Sequence, residues 1–448
     1  MQYISLATFM VLGLMACLRP GWGFALLVLF FALEVTLQAS SEIFRSSPTL
    51  ANLFLGGIIL VALLREIATQ SRPFVGYFNT TWKLVCVLYG WSIVTVLWTP
   101  ALAYETQQGS NLITDAWPYF LLIVFAMPML IGSIEDWERS LNIVLVAGIV
   151  IVVSVLVNPE FSVKSGRIGI SLGGKVRTSP LAIGQMGGTL AIVGALYVPR
   201  FASSRASLAL RFGAFVMGSL LALYSGSRGQ VLFAGLVIAA FLPLSRKIRD
   251  TRSLMGVFVL FGALCIFAYV AFDSVVGSSD ISRWDSKYVD GATDIRLANI
   301  VDLLIVFATT PSAWLIGLGF NAFSSVCSGL GQAYSHCTFV DVLAELGLPA
   351  FAVLIVMLQR TYRGGKVLMI RYGNSPPERS AIATLLAMVV YQVLLANKEG
   401  NLWASVNLFM FMIVVDRLEV RSRVQGDVAI SPDADNATYS GGLVTSNL

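Results

Sequence analysis

The chemistry available to this chain is concentrated in a few polar residues at the edges of apolar stretches. His336 is the only histidine in 448 residues, and Asp341 and Glu345 follow it. An imidazole neutral near pH 7 suits removal of a proton from a hydroxyl group, although lone histidines also serve structural roles. Asp341 and Glu345 stand four residues apart, so on a helix they share a face. There is no second histidine and no thiolate cluster, so neither a metal site nor a cofactor is expected. Arg228 lies in "YSGSRGQ", a tight corner between "FVMGSLLAL" and "VLFAGLVIAAFLPL". Ser225 or Ser227 can cap the helix that follows, and the helix dipole with its free N–H groups then favours an anion. The planar guanidinium fork suits phosphate oxygens; the competing reading is an arginine reaching for lipid headgroups. Arg296 follows Asp294, a candidate helix cap, and Leu297, Ile300, Val301, Leu304 and Ile305 continue as an apolar stripe at helical spacing. The segment "EFSVKSGRIGISLGGKVRTSPLAIG" sets Lys164, Arg167, Lys175 and Arg177 against Glu160 alone. Either such bases are tolerated there, or they form an electrostatic trap for an anionic substrate.

These residues need a scaffold, and the composition restricts what it can be. Hydrophobic residues make up 56% of the chain and charged residues 12%, with a mean hydropathy of +0.78. Soluble proteins carry about 25% charged residues, so an integral membrane protein is expected. Apolar runs at 2–18, 21–40, 49–65, 82–98, 117–133, 140–158, 181–199, 208–224, 229–244, 254–273, 338–359, 380–397 and 401–416 read as thirteen spans, the first alternatively a short uncleaved anchor or a half-membrane hairpin. Backbone groups in lipid must be satisfied within a segment, which makes the spans helices. The fold class expected is an all-α polytopic membrane protein of about 12–13 transmembrane helices.

Lys and Arg in short loops give the orientation. Basic residues dominate 200–211, 245–253, 360–379 and the segment carrying Arg417, Arg421 and Arg423, which places these in the cytoplasm. The opposite, periplasmic face then holds 99–116, 159–180, 225–228 and 274–337. The resulting organisation is N-terminal helices in 1–158, a basic periplasmic loop in 159–180, central helices in 181–273, a large, partly helical periplasmic loop in 274–337, C-terminal helices in 338–417 and a disordered cytoplasmic tail in 424–448. Cys327 and Cys337 share the large loop, where an oxidising compartment would permit a disulfide. The formal charge of +5 sorts by loop and implies no nucleic acid.

Two arginines, one histidine and an apolar bundle suit a particular reaction class. The arginines neutralise a leaving pyrophosphate, the histidine deprotonates an incoming hydroxyl, and the bundle holds a lipid tail. The stretches "LYSGSRGQVLFAGLVIAAF", the Arg296 helix ending in "LIGLGFNAF", and "YSHCTFVDVLAELGLPAF" resemble the bacterial O-antigen ligase and polymerase superfamily over roughly residues 160–360, in order and spacing. The chain departs from that family's usual pattern at Cys337, where Asn is common, and at Ala350 in place of Gly.

The resemblance implies a GT-C type membrane glycosyltransferase of the inner membrane that uses an undecaprenyl-pyrophosphate-linked oligosaccharide without metal or cofactor. It implies His336, Arg228 and Arg296 as catalytic residues. "GGKVRTSPLAIGQMGG" resembles the family's arginine-containing segment and suggests Arg177 as a substrate contact; Arg167, Ser227, Asp341 and Glu345 are the further candidate substrate contacts. The partners expected are the lipid-linked donor, an acceptor glycan or lipid A-core, a chain-length regulator and the bilayer. The ten residues between Arg177 and Gly188 are similar to a spacing in some polymerase loops, inclining the reading to a repeat-unit polymerase, with an O-antigen ligase as the alternative. A flippase or transporter is the distant alternative, since it predicts related halves with broken helices at mid-membrane and the sequence carries no convincing repeat.

Overall fold

The computed structural model of the protein describes residues 2–47, 49–69, 78–100, 117–164, 167–172, 175–176, 180–200, 205–246, 252, 255, 262, 286–327, 335–398 and 401–430. Their helices are α1 Gln2–Leu18, α2 Phe24–Ser40, α3 Glu42–Ser46, α4 Thr49–Thr69, α5 Thr80–Thr95, α6 Trp117–Ala126, α7 Ile134–Val157, α8 Pro180–Leu196, α9 Arg205–Tyr224, α10 Arg228–Arg246, α11 Ser286–Thr309, α12 Ala313–Ile316, α13 Phe323–Val326, α14 Thr338–Arg371, α15 Pro376–Ala396 and α16 Val406–Ile430. Seven helices among the described residues are long and apolar enough to cross a membrane, and three apolar helices are shorter. This matches a polytopic helical membrane protein.

Several boundaries differ from the sequence reading. Helix α7 begins at Ile134, ahead of the expected start at 140, because the Ser133 hydroxyl accepts from the Asp136 amide at 3.2 Å and Glu135 and Asp136 fill the first turn. The expected loop at 159–180 contains a small antiparallel sheet: β1 Phe161–Lys164, β2 Arg167–Leu172 and β3 Lys175–Val176, with Phe161 opposite Ile170 and Ser171 opposite Val176. Apolar residues alternate along it (Phe161 and Val163, then Ile168, Ile170 and Leu172), which is strand periodicity. Asp294 is not a cap, since α11 starts eight residues earlier at Ser286. Helix α16 continues through 424–430, so the expected tail is shortened; 431–448 and most of the expected span 254–273 lie outside the described residues.

At the centre of the bundle is α16, whose Leu408–Val415 stretch is almost completely buried. Edge-on aromatic contacts tie its neighbours to it: Phe24 and Trp137 against Phe411, and Tyr89 and Phe125 against Phe409. Helices α8 and α9 approach until their backbones nearly touch. A side-chain carbon on Gly187 would lie 2.6 Å from the Ala222 amide, and one on Gly218 would lie 2.6 Å from the Ala191 amide. Small residues at such crossings are what lets membrane helices pack closely.

Several arginines find their partners at one end. There Arg200 bonds Glu138 at 2.5 Å and reaches Glu135 and Glu378 at 3.4 Å. The bond to Glu138 holds the Arg200 guanidinium above its ordinary pKa range. Arg246 donates to the Ala195 carbonyl, Arg417 to the Ile131 carbonyl, and Arg360 pairs with Asp416 at 2.9 Å. The corner at 225–228, the start of α14 and the end of α15 occupy the opposite end.

Candidate functional site at one end of the bundle

Helix α9 closes through the Ser225 and Gly226 amides, which donate to the Leu221 and Leu223 carbonyls. Gly226 then takes φ +67°, the left-handed conformation glycine adopts without penalty, and α10 begins two residues later at Arg228. Ser225 serves the corner itself: its hydroxyl donates to the Ala222 carbonyl at 2.6 Å and accepts from the Ser227 amide at 3.2 Å. The Ser227 carbonyl accepts from the Gln230 amide, opening α10, and the Gln230 side chain donates to Leu181 on α8 at 2.8 Å. Arg228 is half-buried, and its Nη1 is buried without a hydrogen-bond partner among the described residues. A buried guanidinium nitrogen without an acceptor is costly unless an anion visits it.

His336 has φ +68°, a conformation that costs a non-glycine residue about 1–3 kcal/mol and that clusters at functional sites. Its neighbours enforce it. Asp341, on the first turn of α14, accepts from the Ser335 hydroxyl at 2.5 Å, and that hydroxyl accepts from the Cys337 amide at 3.1 Å. Asp341 therefore pins the turn that presents His336, while its Oδ2 is buried with no partner among the described residues. From the other side, Thr338 and Ser405 share a 2.8 Å hydrogen bond to the start of α16.

Glu345 is the second acid of the pair. Its two oxygens accept from the Asn321 amide at 2.9 Å and the Phe323 amide at 3.1 Å, and it is buried. The geometry makes it an anchor for the "LIGLGFNAF" loop. That loop docks further through Leu318 to the Ala344 carbonyl and Gly319 to the Glu345 carbonyl, both at 2.9 Å. Gly317 at φ +78° and Gly347 at φ +88° make the approach possible. Gly347 also breaks α14, so residues 338–346 form a short helix set apart from the long span.

Arg296 lies on α11, whose Leu303 and Phe307 pack with Phe323, Cys327 and Ala344. Arg296, Asn299, Leu303 and Phe307 follow one another at helical spacing, so Arg296 extends the stripe that docks against the helix beginning just after His336. Asn299 is completely buried, and neither amide atom has a partner among the described residues.

The Cys327–Cys337 disulfide that an oxidising compartment would permit is absent: both thiols are free. Cys327 is held in the apolar cluster with Phe307 and Phe323, whereas the Cys337 sulfur turns to the Asn397 side-chain oxygen at 3.4 Å. Burial raises the pKa of both thiols. Arg177 lies outside the described residues; Arg167 is on β2, its side chain also outside them.

Two residues here escaped the sequence reading. Asn397 and Lys398 form the turn after α15, and the Lys398 chain lies over Gly229, where an added carbon would fall 2.1 Å from Nζ. The signal was present, since Lys398 is a base in the short link between two expected spans. Through Asn397 and Lys398 the turn links Cys337, beside His336, to Gly229, beside Arg228. The groups of histidine, cysteine and carboxylate required for a metal ion do not occur among the described residues. Compared with known proteins, the chain matches no family model and no curated sequence.

Proposed function

We propose that the protein is a GT-C type membrane glycosyltransferase, most simply a repeat-unit polymerase of the bacterial inner membrane with its site in the periplasm. It transfers a glycan from an undecaprenyl-pyrophosphate carrier to an acceptor hydroxyl. The observation that carries the reading is the joining of the Arg228 corner to the strained His336 turn through Asn397 and Lys398 at one end of an apolar bundle. In the reaction, the acceptor oxygen attacks the anomeric carbon while His336 takes the hydroxyl proton. The bond from that carbon to the pyrophosphate oxygen breaks, and its electron pair leaves with the lipid pyrophosphate. Arg228 and Arg296 offset the growing negative charge, and lipid-facing helices accommodate the polyprenyl tail. Arg167 and Arg177 are kept as candidate donor contacts on their charge alone.

Arg228→Ala, Arg296→Ala and His336→Ala should each abolish surface polysaccharide while the protein remains in the membrane. Normal polymer in all three would sink the assignment. A deletion strain analysed on a glycan gel separates the related activities. Single-repeat material on the acceptor marks a polymerase, and bare acceptor with polymer retained on the carrier marks a ligase. Failure to present any lipid-linked repeat outside would point to a flippase.

A further inference from the structure

We propose that Lys398 is a third cation of the anion site, placed to receive the charge that appears when the pyrophosphate leaves; this rests on the glycosyltransferase reading. Three observations lead to it. The Lys398 ammonium is seated over Gly229, the second residue of α10 and the neighbour of Arg228; a side-chain carbon there would lie 2.1 Å from Nζ and 2.2 Å from Cδ. Gly229 is thus the notch that admits the lysine. The adjoining Arg228 Nη1 is buried with its donor unmet among the described residues. Asn397, one residue before the lysine, accepts from the Cys337 thiol, so the position of Lys398 is tied to the His336 turn.

The charge count of the reaction says why a third cation is useful. A diphosphate joined to sugar at one end and polyprenol at the other carries about two negative charges. Cleavage of the sugar–oxygen bond leaves a polyprenyl diphosphate with a new terminal oxyanion, and about a third charge, given a second phosphate pKa near 6. Arg228 and Arg296 match the first two charges. A cation meeting only the third stabilises the transition state and product more than the bound donor, and so acts on kcat. An ammonium on a four-carbon stem is a compact point charge that can follow a departing oxyanion.

The test uses the full-length protein in detergent or proteoliposomes, with farnesyl pyrophosphate as the binding probe and lipid-linked repeat units as the turnover substrate. Lys398→Met should weaken farnesyl pyrophosphate binding about tenfold or more, the size of a lost charge-assisted bond, and lower kcat with little change in KM. Gly229→Ala should act in the same direction with every charge retained, because its methyl displaces the lysine. Lys398→Arg should restore much of the loss. If Lys398→Met and Gly229→Ala bind the probe and turn over like the wild type while Arg228→Ala loses both, the lysine inference fails and the pyrophosphate reading survives. If the wild type neither binds the probe nor loses turnover on Arg228→Ala, the underlying reading fails. Should Lys398→Met not fold, Gly229→Ala and Lys398→Arg still decide the matter.

Discussion

At the scale of single residues, the acidic pair near His336 divides its duties. Asp341 fixes the turn through Ser335, and Glu345 holds the 317–323 loop by two backbone amides. Glu345→Ala would leave the buried Phe323 amide and the part-buried Asn321 amide without these acceptors, at about 1–3 kcal/mol for the buried one. Its melting temperature in detergent should fall well below that of the wild type. Glu345→Gln, which keeps one acceptor oxygen, should fall in between. Equal melting temperatures for the three proteins would show that the loop is held by other contacts. Cysteine chemistry supplies a second residue-level check. The chain has five cysteines, and Cys327 and Cys337 are free, so the denatured, unreduced protein should take up five thiol labels. Three would mean that the pair had bonded. In the folded protein, burial raises the pKa of both thiols. At neutral pH they are therefore protonated, and their labelling should quicken as pH rises past the ordinary cysteine range.

At the scale of elements, backbone proximity decides what can change. Gly218 packs against the α8 backbone, whereas an added carbon on Gly57 would meet nothing within 4 Å. Gly218→Leu should therefore lower membrane yield and melting temperature sharply, and Gly57→Leu should leave both near wild type; similar behaviour of the two would rule out the close crossing. Gly347→Ala carries a different penalty: φ +88° combines with a carbon 2.8 Å from the Leu315 carbonyl oxygen, so the break in α14 and the loop docked on it should both loosen. Limited proteolysis would read that loosening as faster cleavage around 317–327. Much of this level was legible in the sequence. The apolar runs found most spans, because hydrocarbon thickness fixes helix length. The start of α7 was missed because Glu135, Asp136, Glu138 and Arg139 read as loop, although Ser133 signalled a cap. The sheet is hard to read from sequence because its strands are only four, six and two residues long and their alternation is short. The His336 turn and the Arg228 corner were visible as local motifs. The turn joining them was not, since nothing local predicts that Lys398 meets Gly229 across 169 residues of chain.

At the scale of the whole molecule, the partnered arginines and the site stand at opposite ends. Arg200, Arg246, Arg360 and Arg417 find their partners at one end, while Arg228, Lys398 and the His336 turn gather at the other. Short loops rich in Lys and Arg tend to be retained in the cytoplasm; that tendency would turn the candidate site outward, the orientation that the proposed function requires. The orientation is testable without knowing the substrate. A green fluorescent protein fused after residue 373 should fluoresce, and one fused after residue 160 should be dark; alkaline phosphatase at the same positions should give the reverse. Fluorescence at 160 with phosphatase activity at 373 would put Arg228 and His336 in the cytoplasm and defeat the outer-face reading. It would leave the chemistry of the corner intact, because the Arg228–Lys398–His336 arrangement depends on helix packing and not on which compartment it faces.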